Sequence, residues 1–307
     1  MDPELLAARY LILAIFVITG TYVQTRGRVR HKFFRAVTDH STFMAPYNAL
    51  MYLFSAVRAK PYADVDRFPE LKRITSSWQM IRDEALKLFD EGYIRAASGY
   101  NDLGFNSFFR HGWKRFYLKW YDDFLPSAKA HCPQTTELLA GIPSVNAAMF
   151  ALLPPGGRLG AHRDPFAGSL RYHLGLVTPN SERCQIVVDG VPYYWKDGEP
   201  VMFDETYIHW AENKTDVTRL ILFCDIERPL SNRIMRGVNR VIGRRIAKAA
   251  ATQNVAGEPI GMLNRLFHYV YQVRLFGKWL KKRNEAAYQV SKWALIGALV
   301  FAIFFWR

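Results

Sequence analysis

Apolar residues along this chain fall into two long runs at the ends and a series of shorter patterned pieces between them. The first run, residues 5–23, reads LLAARYLILAIFVITGTYV with a single charge, Arg9, near its edge. A helix that crosses a bilayer needs about 20 apolar residues, so a spanning helix is expected here. A signal peptide is the competing reading, but no small-residue cleavage site follows the run; TRGRVRHK does. The second run, residues 290–306, reads VSKWALIGALVFAIFFW, with Trp293 and Trp306 at the ends of its uncharged core, where tryptophan favours the membrane–water boundary. A buried core helix is the competing reading of this run.

Arg26, Arg28, Arg30, Lys32 and Arg35 follow the first run, and Lys278, Lys281, Lys282 and Arg283 precede the second. Basic residues collect on the cytoplasmic side of spanning helices. Both flanks therefore place the middle of the chain in the cytoplasm and both termini across the membrane.

Between the runs the period changes along the chain. Residues 43–58 are apolar but interrupted by Pro46, which suits either an interfacial segment or a core helix. Over residues 68–89, Leu71, Ile74, Trp78, Ile81, Leu86 and Phe89 recur at helical spacing. An aromatic-rich stretch follows at 105–121, then a short helix around 135–139. From Asn146 short apolar runs take over: AAMFALL, RYHLGLV, CQIVV, VPYYW, PVMF and RLILFCDI. Asp189-Gly190 between two of them is a tight-hairpin signal, and KDGEP at 196–200 marks another turn. About six short strands without intervening helices predict an antiparallel sandwich or jelly-roll barrel.

After Pro229 the pattern is helical again. Ile234, Val238, Val241, Ile242 and Ile246 share one face, while Arg233, Arg236, Arg240, Arg244, Arg245 and Lys248 take up much of the rest. Such a basic amphipathic helix suits an anionic membrane surface or a solvated face packed on the domain. A second mixed stretch covers 262–280. The expected architecture is a membrane-anchored α+β protein. Its parts are an N-terminal transmembrane helix and basic flank (1–30), a membrane-proximal helical region (31–100), a jelly-roll domain (101–230), basic amphipathic helices (231–288) and a C-terminal transmembrane helix (289–307).

Composition sharpens this. The 307 residues are half hydrophobic and carry a net charge of +14, which excludes wholesale disorder and favours anionic partners. The apolar runs choose an anionic membrane among these, and no nucleic-acid partner is expected. Cys132, Cys184 and Cys224 are odd in number and lack C-x-x-C spacing. That argues against a disulfide framework, a disulfide-linked partner and a cysteine zinc site.

The candidate chemistry lies in AHRDPFAGSLRYHLGLV, residues 161–177. His162, Asp164 and the later His209 have the types and order of a two-histidine, one-carboxylate facial triad. That set leaves adjacent positions open on ferrous iron. A closed sheet is needed to bring His209 back to the first pair, which the barrel supplies. The bland alternative, polar residues at a barrel mouth, stays open on these residues alone. His-Arg-Asp also occurs in kinase catalytic loops, but the glycine-rich PPGGRLG directly precedes His162 and no D-F-G exists anywhere. Arg171 and Arg219 fall on expected strands, where an inward guanidinium could hold a dicarboxylate; a solvent-facing position is the other reading of each. His173 alternates in phase with Arg171.

Over residues 113–229, with GWKRFYL, CPQTTELL, HRDPFAGSLRYHLGLV, FDETYIHWAEN and TRLILFCDIERP, the chain resembles the aspartyl/asparaginyl β-hydroxylases. These are iron(II)- and 2-oxoglutarate-dependent oxygenases. Within them it is most similar to the membrane-bound lipid A 2-hydroxylases of Gram-negative bacteria. The resemblance implies a double-stranded β-helix (cupin-like jelly-roll) catalytic core. It implies His162 and His209 as Fe(II) ligands, and Arg171, His173 and Arg219 as 2-oxoglutarate contacts, with Arg219 on the distal carboxylate. The animal peptide hydroxylases have glycine where this chain has Asp164, so Asp164 is expected to restore the full triad. They also have a co-substrate serine where this chain places Ala151.

The implied reaction consumes 2-oxoglutarate and O2, releases succinate and CO2, and hydroxylates carbon 2 of a fatty acyl chain of lipid A or a lipopolysaccharide precursor. The implied location is the bacterial inner membrane, with the catalytic domain cytoplasmic and both termini periplasmic. On this reading the aromatic stretch at 105–121 is either an acyl-chain entrance or core. The competing functions are peptidyl aspartate or asparagine hydroxylation, and a non-catalytic membrane-anchored metabolite-binding barrel.

Overall fold

A computed structural model describes residues 3–96, 102 and 105–304. Its centre is a pair of antiparallel sheets built from the short apolar runs. The strands are β1 (Tyr62–Ala63), β2 (Lys114–Trp120), β3 (Asp123–Phe124), β4 (Val145–Leu153), β5 (Arg158–His162), β6 (Ser169–Val177), β7 (Cys184–Val188), β8 (Val191–Tyr194), β9 (Pro200–Phe203), β10 (His209–Asn213) and β11 (Arg219–Glu227). One sheet has the order β1-β9-β6-β11-β4-β2-β3 and the other β5-β10-β7-β8. The eight strands β4 to β11 pass back and forth between the sheets, with β7 and β8 adjacent in the smaller one, which is the jelly roll expected from the sequence. β4, β6 and β11 are buried along nearly their whole length, so they read as continuous apolar runs. β7 and β8 meet at the Asp189-Gly190 turn, where both residues take positive φ (51° and 83°) and Val188 pairs with Val191. That is the mirror-image turn whose twist suits a hairpin.

The aromatic stretch divides. Trp113 is buried beside a pocket, and residues 114–120 form β2, packed at Phe116, Tyr117 and Leu118. The helix expected over 68–89 is interrupted: Lys72–Ser76 and Trp78–Asp90 are separate, with Ser77 between them at φ −101° and ψ 16°. The buried positions Leu71, Ile74, Ile81, Ala85 and Leu88 keep helical spacing across the break, and Phe89 falls outside that face and is exposed. The region expected as membrane-proximal contributes β1 to the larger sheet, paired with β9. The boundary expected between residues 100 and 101 lies outside the described residues.

The N-terminal helix, Pro3–Thr25, exposes Leu11, Ile12, Val17 and Ile18, and buries Val23 where it reaches the barrel. Among the described residues one helix is long and apolar enough to cross a membrane, spanning Ala7–Thr25 within this element. It fits a membrane anchor. The C-terminal segment is also helical, Glu285–Phe304, and exposes Val290, Leu295 and Phe301; Phe305, Trp306 and Arg307 lie outside the described residues. A second membrane span is thus not shown.

The basic flank after the first helix is not all surface charge. Arg26 is buried, pairs with Asp204 at 2.8 Å and lies on the rings of Tyr52 and Tyr207. The Val29 N–H donates to Asp189 at 2.9 Å. The segment interrupted by Pro46 starts a helix there, Ala45–Leu53, with Ala45, Asn48 and Met51 buried and Leu50 and Leu53 exposed.

The basic amphipathic segment forms the helix Arg233–Ala250, with a packed face other than its apolar one. Asn239, Gly243 and Ala247 face the barrel, whereas Ile234 and Val241 are 71% and 53% exposed. The contact is close: a Cβ on Gly168 would lie 2.0 Å from the Asn239 side-chain oxygen. A further helix, Met262–Arg283, exposes Leu266, Val270, Val273, Phe276 and Trp279.

Candidate metal and co-substrate site

The ladder between β5 and β10 places His162, the last residue of one strand, directly opposite His209, the first of the other. Their ring centroids are 4.3 Å apart. Asp164 lies two residues past β5, its N–H donating to the Glu205 carbonyl at 2.9 Å. The ligand atoms of His162, Asp164 and His209 all lie within 4.8 Å of one another. The sequence pattern H-x-D…H is therefore one cluster in space.

Each histidine is oriented by its own backbone. His162 Nδ1 sits 2.7 Å from the Gly160 carbonyl and His209 Nδ1 3.0 Å from that of Tyr207. A carbonyl only accepts, so each Nδ1 carries the proton and each Nε2 keeps a free lone pair. Burial disfavours the cationic form of both rings. Burial with the neighbouring His162 pushes His209 down to about 3, and burial lowers His162 against the opposing pull of Asp164. Asp164 goes the other way: burial would raise it, but Arg171, His209 and His162 hold it at about 2. The donor set is two neutral imidazoles and one carboxylate, which suits a first-row divalent metal with open positions.

Arg171 and His173 follow on β6, both buried. The structure places Arg171 as a brace rather than a free cation. Its guanidinium donates to Asp164 and Asp225, each at 2.8 Å, pairs also with Glu205, and covers the Phe223 ring. With these carboxylates converging, burial drives Glu205 well above the ordinary range, Arg171 opposes, and Asp225 and Asp164 reinforce the rise. His173 Nδ1 accepts from Trp195 Nε1 at 3.3 Å, and its Nε2 has no partner. Burial keeps this ring neutral, first by desolvation and then by the nearby Arg171 and Arg219. It therefore offers an unused N–H to the same pocket.

Arg219, at the start of β11, is the unusual group. It is 2% exposed and has no carboxylate partner among the described residues. Its Nε has no acceptor, its one hydrogen bond is a 3.5 Å contact to the Ala151 carbonyl, and the Trp195 ring lies 4.4 Å away. Burial lowers it to about 10. An unpaired buried cation is costly, and a ligand anion is the species that would compensate it.

All six residues singled out from the sequence line one pocket. Phe105, Phe108 and Trp113 form part of its wall, so the start of the aromatic stretch belongs to the site while the rest is core. Trp195, Glu205 and Asp225 were not identified from sequence. Asp225 had a usable signal, since it shares the inward phase of Arg219 on β11 and pairs in register with Arg171.

A family model described as aspartyl/asparaginyl beta-hydroxylase matches residues 75–229. An ornithine lipid ester-linked acyl 2-hydroxylase from Rhizobium tropici is 39% identical over 121 residues, covering 39% of this chain and 43% of that protein. Human aspartyl/asparaginyl beta-hydroxylase is 25% identical over 210 residues, covering 65% of this chain and 27% of that protein. The chain thus spans less than half the length of these relatives. Among solved structures, a Pseudomonas putida prolyl-4-hydroxylase superposes with a TM-score of 0.34 and 17% identity over 50% of this chain and 88% of that one. The α-ketoglutarate-dependent carbocyclase SnoK gives 0.35 and 14% over 50% and 75%. The matched region contains every strand from β2 to β11 and each of the three clustered ligand residues, and the chain belongs to the aspartyl/asparaginyl beta-hydroxylase family.

Proposed function

We propose that this chain is an Fe(II)- and 2-oxoglutarate-dependent dioxygenase that hydroxylates carbon 2 of a fatty acyl chain on a membrane lipid, lipid A or its precursor. The observation that carries the co-substrate is Arg219, a buried guanidinium without a counterion, in the pocket that His162, Asp164 and His209 also line. A dicarboxylate could ion-pair with Arg219 through one end and reach the metal ligands with the other. The His173 Nε2–H is a second donor for it. Bound iron would supply the activation of O2, with 2-oxoglutarate decarboxylated to succinate as one oxygen atom enters the acyl chain. The protein's own contribution is to hold both imidazoles by their Nδ1 protons and to brace Asp164 through Arg171. It also lines the approach with Phe105, Phe108 and Trp113, which exclude water and suit an alkyl chain.

A lipid substrate is supported by the apolar N-terminal helix and by the outward faces of the helices Arg233–Ala250 and Met262–Arg283. These carry exposed aliphatic and aromatic side chains flanked by arginine and lysine, the composition that suits an anionic bilayer surface. The reading places the barrel on the cytoplasmic side of the bacterial inner membrane with both termini periplasmic. An ornithine lipid is the second reading, favoured by the Rhizobium tropici relative.

The test is mass spectrometry of total lipids from Gram-negative cells that lack such an activity, expressing either this chain or its His162→Ala variant. One added oxygen on an acyl chain of lipid A, present only with the unaltered chain, supports the proposal. The same gain on ornithine lipid moves the substrate to the second reading. No gain on any lipid, with the protein inserted in the membrane, overturns acyl hydroxylation.

A further inference from the structure

Two of the three clustered residues sit at the end of β5 and in the loop that follows it. His162 and Asp164 face the pocket. The residues between and around them are held by the segment that follows the N-terminal helix. Arg35 Nη2 donates to the Ala161 carbonyl at 2.7 Å. His40 Nε2 donates to the Arg163 carbonyl at 2.6 Å. Asn48 Nδ2 donates to the Pro165 carbonyl at 2.9 Å and accepts from the Ala167 N–H at 3.0 Å. The Tyr47 ring stacks on Phe166 at 5.2 Å.

Arg163 ties the loop to the apolar helix itself. Its side chain is 2% exposed, and Nη1 donates to the Val23 carbonyl at 2.7 Å. That carbonyl lies in the last turn of the helix Pro3–Thr25, where the carbonyls have no following turn to bond to. The helix has no basic residue in its own last turn, and Arg163, beside Arg26 that follows it, adds a cation at its negative end.

We propose that Arg163 and His40 are positioning residues. Arg163 fastens the ligand loop to the inner end of the membrane-anchoring helix, and His40 fastens it to the segment His40–Phe43 that is bonded to that helix through Gln24, so that docking of the helix sets the geometry in which His162 and Asp164 meet a metal. This rests on the reading of His162, Asp164 and His209 as metal ligands. Removing a group that orients a ligand lowers metal affinity by roughly 10- to 100-fold.

The experiment uses the full chain in lipid nanodiscs and measures Mn(II) affinity from the free-ion spectroscopic signal. It adds amide hydrogen exchange over residues 161–167 and the melting temperature. The variants are Arg163→Met, Arg163→Lys and His40→Ala, with His162→Ala as the ligand control. Asn254→Ala is a destabilising control, because Asn254 is buried and bonded to Tyr117 and Ser127 at a different place in the molecule.

Arg163→Met and His40→Ala are expected to weaken Mn(II) binding by roughly 10- to 100-fold and to speed exchange in the loop, with Arg163→Lys recovering part of the affinity. Asn254→Ala is expected to lower the melting temperature without changing affinity. Equal affinity in Arg163→Met, His40→Ala and the unaltered chain, with His162→Ala impaired, overturns the positioning role alone. Affinity lost in Asn254→Ala to the same degree overturns it too, because the effect is then general destabilisation. Binding that is absent in the unaltered chain, or unaffected by His162→Ala, overturns the metal reading beneath it.

Discussion

Replacing Arg219 by methionine separates two consequences of one buried charge. In the unliganded protein burial holds this guanidinium at about 10 rather than 12.5, a penalty of about 3 kcal/mol on the folded state. The penalty is present in full below about 10, where both folded and unfolded chains are protonated, and is relieved only as the pH rises through that value. Methionine fills a similar volume without charge, so Arg219→Met is expected to stabilise the ligand-free protein by about 1–3 kcal/mol. The same substitution removes the partner of a buried carboxylate. Losing one side of such a pair costs about 2–5 kcal/mol of binding, or roughly thirty- to several-thousand-fold in affinity.

Thermal denaturation with and without 2-oxoglutarate, in the presence of Mn(II), reads both effects. At about one hundred times its dissociation constant the ligand stabilises the unaltered protein by about 2.7 kcal/mol. At that same concentration it is expected to add at most about 0.9 kcal/mol to Arg219→Met. A variant that melts lower without ligand and keeps the full ligand-induced shift would refute the reasoning. Arg219 would then be a structural cation, and the anion site would have to be sought elsewhere.

Asp204, buried between Arg228 and Arg26, is held far below the ordinary carboxylate range by those two cations against the effect of burial. Its contribution is therefore present above pH ~4 and lost as acid approaches its folded value, so Asp204→Asn should cost about 3–5 kcal/mol at neutral pH and flatten the acid limb of a stability–pH curve. Gly168→Ala places a methyl group 2.0 Å from Asn239 and should destabilise the docking of the helix Arg233–Ala250, seen as faster hydrogen exchange in that helix. Ile234→Asp with Val241→Asp should reduce co-sedimentation of the detergent-extracted protein with anionic vesicles while leaving its melting temperature unchanged, since both side chains face away from the barrel. Unchanged vesicle binding would remove this helix from the membrane surface.

The sequence made the barrel legible because its strands are short, apolar and separated by turn residues, and Asp189-Gly190 marks its own hairpin. The convergence of His162, Asp164 and His209 was expected from their types and order, and the structure brings their side chains within 4.8 Å of one another. The partners of Arg171 were not, because Glu205 sits in a loop and Asp225 on the neighbouring strand, and only register brings them together. The helix Arg233–Ala250 shows the limit of periodicity. Its apolar stripe was plain, but packing used the small residues Gly243 and Ala247, because close approach gained more there than burial of bulk. The break at Ser77 carries no glycine or proline, and the buried face runs on across it through Ile81, Ala85 and Leu88.

The joint between the N-terminal helix and the barrel contains no free linker. The helix ends at Thr25, Arg26 is already ion-paired with Asp204 just past β9, and Val29 is bonded to Asp189. On the proposed membrane placement the pocket mouth cannot range into solution, and it stays at a fixed height above the bilayer. Encounter with substrate then becomes a search in two dimensions. Turnover should follow the mole fraction of acceptor lipid in the membrane, falling when inert lipid dilutes the surface and holding constant when the whole suspension is diluted with buffer.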